Sequence, residues 1–566
     1  LTDYENWKNN NAVSKWNIKY YKGLGTSTEK EAKEYFKDLK NVEYAWDEDK
    51  SKEKLDLAFN KKRADDRKKW LYEYDKQDIL DYKEKKVNYE DFINKDLIHF
   101  SVYDTGRSIP SFCDGLKIST RKILYSCFKR NLLKEIRVAQ LAGYVSENAN
   151  YHHGEKSLQD AIIGMAQNYI GSNNINVLMP NGQFGTRLQG GKDAASPRYI
   201  HTELNPLALT IFSKEDLPIL NYINDDGDMI EPEFYLPVIP MVLINGIIGI
   251  GTGFSCNIPC YNPEEILKIY KKLLKSEDIT ESLKNIKQLK PHYTGHLGPI
   301  VKDGSKYISK GVFKRVSANQ IEITELPVGT WTQDYKEFLE KSLDNDKLKL
   351  KDYESYYTEN SVRFVLHFEP GAVNDLLKMD KDGILTKFEK DFKMTTSKLL
   401  STTNMHMFDQ KGTITKMKNV TEIISKFYTF RLSWYQTRKD YIIDKLKKEL
   451  IILDARIKFI LDIIEDRLKI NNRKKTDIED YIEKNEYPKK TNDNDSKTKE
   501  SYDYLIKMPI WNLTYEKKEE LLKELNNKKD MLTAIEIKTI ENMWLDDLEA
   551  FENEYSKYLK NRMKEL

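Results

Sequence analysis

Apolar positions three or four residues apart dominate the C-terminal third of this chain. Ile442, Leu446, Leu450, Leu453, Ile457, Ile460 and Ile464 make one stripe with charged flanks, which predicts a long helix inside a helical, coiled region running from about Met417 onward. A second amphipathic run, Leu521 to Tyr555, can return antiparallel along the first. With the small apolar cluster of Met508, Ile510, Trp511 and Leu513 between them, the two runs predict a stalk carrying a head, and a dimer contact at its tip. The polar stretch from Lys489 to Ser501 reads as a loop.

The pattern changes character upstream. Trp16 to Tyr21 is an aromatic, strand-like run, followed by a turn at Gly23-Leu24-Gly25 and a helix whose Thr28 and Glu31 have capping-box spacing ahead of Lys33 to Leu39. Residues 41 to 90 are highly charged, helical and loop-like by pattern without a clear core stripe, and read as a connector. From about Asp91 to Cys260 the chain is glycine-punctuated and poor in charge, a compact α/β or winged-helix-like unit by pattern. Helices are predicted there at Pro110 to Lys129 and at Ser157 to Ile170, the latter from Leu158, Ile162, Met165 and Tyr169. From about Tyr261 to Lys411 helical segments alternate with β-rich ones, such as Gln320 to Leu326 and Ser361 to Phe368, which predicts an α+β unit.

One uncharged stretch, Phe234 to Ile258, is long enough to span a bilayer. Pro237 and Pro240 interrupt it, and Gly246, Gly249, Gly251 and Gly253 loosen the rest, so buried strand and turn are expected and no membrane association.

At 566 residues the chain exceeds a single core, and three or four domains are expected. The net charge of +2 is the difference of 92 cations and 90 anions and says little about partners, whereas residues 101 to 200 hold 12 Lys/Arg against 7 Asp/Glu. Arg121, Lys122, Lys129, Arg130, Lys134 and Arg137 face only Glu135, a basic patch of the kind that meets a phosphate backbone or, more simply, a solvated helix face. Four cysteines argue for a reducing compartment, and with only Cys113 and Cys127 beside Cys256 and Cys260 a four-ligand zinc site is not expected. The first residues are polar and charged, unlike a secretory signal.

Candidate chemistry centres on Tyr199, within Gly190-Gly-Lys-Asp-Ala-Ala-Ser-Pro-Arg-Tyr-Ile200. A glycine pair, Lys192, Pro197 and then Arg198 beside a phenol make a nucleophile mount. A phenol with an ordinary pKa near 10 needs activation, and Arg198 can both favour phenolate and clamp a phosphate. Attack on phosphorus would exchange one ester for another, a nearly isoenergetic and reversible step. Upstream, Tyr151-His152-His153-Gly154-Glu155, Arg107 and Lys117 offer groups that can hold non-bridging oxygens as charge builds. With 35 tyrosines in the chain, the plain alternative is a half-buried strand aromatic. Gly246-Ile-Ile-Gly-Ile-Gly-Thr-Gly253 lacks dinucleotide-fingerprint spacing, but an exposed Ile250 on such a loop could wedge between base steps. Gly23-Leu24-Gly25-Thr26 ahead of a helix could hold a phosphate or be an ordinary turn.

With these motifs in their order, the chain resembles the eukaryotic and large-DNA-virus type IIA DNA topoisomerases. The resemblance is carried nearly end to end by Tyr20-Tyr-Lys-Gly-Leu-Gly-Thr-Ser-Thr28, Gly106-Arg-Ser-Ile-Pro110, Asp114-Gly-Leu-Lys117, Tyr151-His-His-Gly-Glu155, Gly171-Ser-Asn-Asn174 and Gln183-Phe-Gly-Thr-Arg187. Pro197-Arg-Tyr199, Gly249-Ile-Gly-Thr-Gly253, Glu325-Leu-Pro-Val-Gly-Thr-Trp331 and Met543-Trp-Leu-Asp-Asp-Leu-Glu-Ala-Phe551 continue it. It implies a multidomain α+β fold: the C-terminal part of a toprim domain and linker (1–93), a winged-helix domain bearing the tyrosine (94–260), a tower (261–412) and a coiled-coil exit gate (413–566). It further implies that Tyr199 takes the 5′ phosphate, with Arg198, His153, Arg107 and Lys117 at the cleavage site. Lys22, Arg121, Lys122, His152, Gln183, Lys192 and Ile250 are the expected DNA-binding residues, Ile250 by intercalation.

Expected partners are double-stranded DNA, a second copy of the chain and the family's cleavage-site poisons; the expected place is the nucleus, or a virus factory if the source is viral. The family uses Mg2+ and ATP. Its magnesium-binding acids precede the Tyr20-Tyr-Lys-Gly motif, so they and the ATPase region are expected upstream of residue 1, and Asp47, Glu48 and Asp49 read as a solvated run instead. On that footing this chain alone should bind and bend DNA and dimerise but cleave poorly. A non-cleaving DNA-binding scaffold and a structural coiled-coil protein are the alternatives, the latter leaving the glycine-rich middle unexplained.

Overall fold

The computed structural model describes residues 1–566 apart from 1, 13–14, 20, 22–24, 26, 38, 40, 82–84, 226, 305, 380–382, 492–499 and 566. The chain divides into two compact units that interleave along the sequence. One is Leu1–Ser111 with Ile247–Ile258 and Thr403–Lys416; the other is Phe112–Gly246, Pro259–Thr402 and Met417–Leu566.

In the first unit the aromatic run at Trp16 is not a strand in its described residues. A helix, Thr2–Asn10, precedes it instead, and Trp16 packs edge-on against Trp7 at 5.5 Å. The expected capping box is present: Thr28 N–H donates to Glu31 Oε2 at 2.6 Å and Glu31 N–H to Thr28 Oγ1 at 3.3 Å, so the helix starts at once, over Glu29–Lys37. The expected turn at 23–25 falls largely outside the described residues.

The charged connector is folded. Helices Glu48–Phe59 and Ala64–Tyr72 bury Leu57 and Trp70 against Ile93 and Ile98. Each helix contributes only one or two buried positions between many charges, too narrow a stripe for periodicity to reveal. Asp47 caps the first of them, accepting from Lys50 N–H at 3.0 Å, with Glu48 and Asp49 in its first turn, where carboxylates favour the helix dipole.

The uncharged stretch closes with an antiparallel hairpin, Ile247–Ile250 with Ser255–Ile258, docked on the helix Ile98–Ser108 of the same unit. Among the described residues no helix is long and apolar enough to cross a membrane.

In the second unit three helices, Ile118–Arg130, Val138–Asn148 and Glu155–Ala166, pack through Ile123, Leu124, Leu141, Val145, Leu158 and Ile162, all essentially fully buried. The first does not begin at Pro110: Gly115, in the left-handed region at φ 71°, turns the chain ahead of it, and the helix starts at Ile118. The third stops at Ala166, with Gln167 extended at its end, so Tyr169 lies beyond it.

Further along, Val312–Ser317, Gln320–Glu325, Phe364–Phe368 and Leu350–Ser355 form a four-stranded antiparallel sheet in that spatial order, with Ile321 opposite Leu366 and Ile323 opposite Phe364. Tyr335 and Leu339 of the helix Thr332–Leu343 share its core.

The predicted stripe lies on a 45-residue helix, Val420–Ile464, about 68 Å long at 1.5 Å per residue. Its Leu453, Ile457 and Ile460 pack on Leu521 and Leu525 of a returning helix, Tyr515–Ile537. The return is two helices, not one. Lys538 ends the first in an extended conformation, and Thr539 Oγ1 accepts from Asn542 N–H at 3.2 Å at the start of Ile540–Glu565. At the far end of the long helix, Phe459 and Leu468 join Ile482, Tyr487 and Leu505 in a small core; of the expected apolar cluster Met508 and Leu513 pack on it, whereas Ile510 and Trp511 are exposed. The Lys489 to Ser501 loop has a two-residue ladder at its ends, and its centre lies outside the described residues.

Candidate active site and nucleic-acid interface

Tyr199 sits on a turn rather than a strand, and 73% of it is exposed. Its own N–H closes the turn on Ser196 O at 2.9 Å. On either side of it the turn is tied to the first N–H groups of the helix Val138–Asn148: Val138 N–H donates to Ile200 O and Ala139 N–H to Pro197 O, both at 3.0 Å. A two-residue ladder pairs Arg137 with His201 and Ile136 with Thr202 directly beyond. The residues around the phenol are thus fixed through the backbone, while its ring faces outward. The Arg198 guanidinium lies 5.9 Å from that ring.

The segment leading in is held as firmly. Asp193 accepts from Thr186 N–H at 2.9 Å and Thr186 Oγ1 at 2.5 Å, Gln183 O accepts from Ala195 N–H at 2.9 Å, and Gln167 Nε2 reaches Phe184 O and Gly191 O. Gln183 and Lys192 are exposed on this loop. His152 is exposed and His153 half-buried on the loop before the helix Glu155–Ala166, with His153 edge-on to Tyr151 at 5.3 Å. Lys117 occupies the N-cap position of the helix Ile118–Arg130 and is half-buried.

The basic patch needs correction. Arg121 and Lys122 were expected to face DNA, but both are buried. Arg121 donates to Asp114 at 2.7 and 3.0 Å; Lys122 donates to Glu231 at 2.8 Å and Ala149 O at 2.6 Å. Isolated buried charge is costly, so these two cations are consumed by internal partners. The exposed members are Lys129, Arg130, Lys134 and Arg137, the last adjoining the Tyr199 turn through the ladder.

Arg107 and Ile250 belong to the other compact unit, and Lys22 lies outside the described residues. Arg107 is half-buried on the helix Ile98–Ser108, its guanidinium 5.9 Å from the Tyr103 ring. Ile250 stands at the hairpin tip, 77% exposed, with Ile248 on the same face 47% exposed. The glycines explain how so apolar a tip is held up. A Cβ on Gly249 would lie 2.2 Å from Ser108 O, so only glycine lets the hairpin sit down on the helix. Asp104 accepts from Thr252 N–H at 3.2 Å and fixes the turn.

Sequence reasoning missed what supports the tyrosine loop from beneath. Arg187 is buried against Glu325, and Trp331 packs over Gly190 and Gly171. Both partners lie in the Glu325–Trp331 motif, so the signal was present, but nothing in the spacing says that it meets a loop more than a hundred residues upstream. Among the described residues no three His, Cys, Asp or Glu side chains cluster to hold a metal ion, and the four cysteines are buried and form no disulfide.

Residues 107–549 match the DNA gyrase/topoisomerase IV A-subunit family model, and residues 1–105 match the C-terminal associated domain of TOPRIM. DNA topoisomerase 2 of Plasmodium falciparum (isolate K1 / Thailand) is 42% identical over 98% of this chain and 41% of its own length. DNA topoisomerase 2 of Arabidopsis thaliana is 42% identical over 98% of this chain and 39% of its own. The chain therefore spans about two fifths of these relatives. A crystal structure of the Plasmodium falciparum topoisomerase II DNA-binding, cleavage and re-ligation domain superposes with a TM-score of 0.81 at 41% identity, over 99% of this chain and 77% of that one.

Proposed function

The chain belongs to the eukaryotic DNA topoisomerase II family as its breakage-reunion core, and from that premise we propose that it cuts and rejoins a DNA duplex through Tyr199. The observation that carries the reading is an exposed phenol on a turn pinned by its own backbone, beside Arg198. The Tyr199 oxygen attacks phosphorus and loses its proton to solvent. The P–O3′ bond breaks, the 3′ oxygen takes a proton, and the 5′ phosphate stays on the tyrosine. Reversal by the 3′ hydroxyl restores the strand. Arg198 holds non-bridging oxygens as charge builds, with His153, Lys117 and Arg107 as further candidates.

Mg2+ and ATP are implied by the family. The described residues do not form a metal-binding cluster of His, Cys, Asp or Glu. Strand passage driven by ATP would be an activity of the family's full-length members.

The segments take matching roles. Residues 94–260 would be the winged-helix domain, supported by the three packed helices and the short ladder. Residues 1–93 would complete a toprim domain, 261–412 form a tower on the antiparallel sheets, and 413–566 form the coiled-coil exit gate on the long helix pair. Gln183, Lys192 and His152, exposed near the loop, would meet DNA, as would Lys22, and Ile250 would intercalate. Ile510 and Trp511, 80% and 76% exposed at the head, suit contact with a second copy, which would place one Tyr199 on each strand. Poisons of the family would act at the same cleavage site, and the nucleus is the place implied by the eukaryotic relatives.

The test joins this chain to the toprim segment of a full-length relative and adds supercoiled DNA and Mg2+. A detergent quench and a count of protein linked to 5′ DNA ends follow, with Tyr199→Phe alongside. Adducts in the parent and none in the variant establish the nucleophile. DNA binding without adducts in either would favour a non-cleaving scaffold instead.

A further inference from the structure

We infer that Trp331 and Glu325 are positioning residues for the Tyr199 turn, so that the α+β segment, and not only the helices beside the tyrosine, sets the aim of the nucleophile. The inference rests on the reading of Tyr199 given above.

The loop from Thr186 to Ile200 is suspended between two helix N-termini. Its outgoing limb accepts the first N–H groups of Val138–Asn148, as described. Its incoming limb does the same for the helix Thr332–Leu343: Arg187 O accepts from Thr332 N–H at 3.4 Å and Leu188 O from Gln333 N–H at 3.0 Å. These are among the orphan donors every helix must satisfy, so the loop serves as backbone cap to both helices, and a shift of either moves it.

Two side chains lock the incoming limb. Arg187, 5% exposed, forms an ion pair with Glu325, 1% exposed, and its Nη1 reaches Asn360 O at 3.5 Å. Glu325 also accepts from Leu326 N–H at 2.8 Å and Leu297 N–H at 3.4 Å, which fixes its own orientation. Trp331, the N-cap residue of the second helix, lays its indole against the loop. A Cβ on Gly190 would fall 2.3 Å from it and one on Gly171 3.4 Å, and Tyr169 meets it edge-on at 5.7 Å. Gly190 begins the glycine pair nine residues before Tyr199, and Gly191 is bonded in turn to Thr186 and Gln167. Glu325 is buried and Trp331 lies against the loop, so both act through it.

In-line attack is sensitive to such support, since a displacement of about 1 Å at a reacting atom can cost on the order of a hundredfold in rate. The experiment uses the full-length protein with Mg2+ and compares Trp331→Ala, Trp331→Phe, Glu325→Gln and Tyr199→Phe. Single-turnover adduct formation at saturating DNA, the DNA Kd and the thermal midpoint are measured separately. Trp331→Ala and Glu325→Gln should slow adduct formation by about tenfold to a hundredfold, with Kd within about threefold, and Trp331→Phe should recover most of the rate. Wild-type rates in folded Trp331→Ala and Glu325→Gln would overturn the inference, as would a rate loss matched by an equal loss of affinity. If Trp331→Ala does not fold, Glu325→Gln and Trp331→Phe decide. An unchanged adduct yield in Tyr199→Phe is a different failure: it removes the nucleophile assignment itself, and the inference with it.

Discussion

Arg121 grips Asp114 at two points, Nε to Oδ2 at 2.7 Å and Nη2 to Oδ1 at 3.0 Å, with both side chains buried. Asp114 also accepts from Leu116 N–H and Tyr235 N–H, each at 3.0 Å, so one carboxylate binds the turn before a helix, the helix itself and a segment about 120 residues on. A guanidinium in that position is structural, although its sequence neighbours look like a phosphate-binding run.

The exposed and buried cations should therefore separate experimentally. Arg121→Met leaves Asp114 without its counter-ion and should cost about 3–5 kcal/mol in urea unfolding, the range for breaking a buried pair. Lys134→Ala and Arg137→Ala should barely move stability. If these two meet phosphate, each should reduce the slope of log affinity against log salt by about one. A salt slope that falls with Arg121→Met and not with Arg137→Ala would reverse the assignment.

Ile250 supplies the converse case, a large apolar side chain with little folding role. At 77% exposure its truncation to alanine should change the unfolding free energy by less than about 0.5 kcal/mol. If it wedges between base steps, the same change should reduce the DNA bend measured by fluorescence transfer between duplex ends, and weaken binding. Unchanged bending with Ile250→Ala would leave the hairpin tip without a DNA role.

Gly190→Ala should be costly, for two reasons that add. The residue has φ 63°, in the left-handed region, and the new Cβ would lie 2.3 Å from the Trp331 indole. About 2–4 kcal/mol of destabilisation is expected from strain and overpacking together. Relief of the contact by Trp331→Ala in the double variant would show as non-additive unfolding energies; strict additivity would mean that the indole is not the obstacle.

The long helix pair was legible because its apolar stripe repeats over many turns, and periodicity is then hard to mistake. The Tyr199 mount was legible from local chemistry, since glycine, proline and arginine sit within ten residues of it. The helical character of 48–72 was legible but its core was not, because each helix buries only a residue or two and the core is completed by Ile93 and Ile98, which belong to later segments. The fate of Arg121 and Lys122 was illegible for a related reason. Their partners Asp114 and Glu231 are 7 and 109 residues away, and a charge run does not reveal which cations have buried acids waiting. The break between Ile537 and Ile540 turned on one threonine cap, a local signal that the continuing amphipathic pattern hid.

His296 gives a pH dependence whose sign can be worked out. Burial pushes its imidazole down to about 4, against the opposing carboxylate of Glu325, whose Oε2 lies 3.8 Å from Nδ1, and with Arg187 lowering it further. Near neutrality the ring is therefore uncharged, its Nε2 3.1 Å from Ser309 Oγ. The unfolded chain titrates this group near 6.5, so between pH 6.5 and 4 it is the unfolded state that binds the extra proton. The stabilisation is complete above 6.5 and is lost as pH falls toward 4, by about 2 kcal/mol at pH 5 from this group alone. His296→Gln keeps a hydrogen-bonding partner for Ser309 and removes the titration. Its thermal midpoint should fall less than the wild type's between pH 7 and pH 5. Equal losses in the two proteins would mean that the acid sensitivity of this unit lies elsewhere. A larger loss in the variant would mean that the imidazole is charged in the folded state and paired with Glu325.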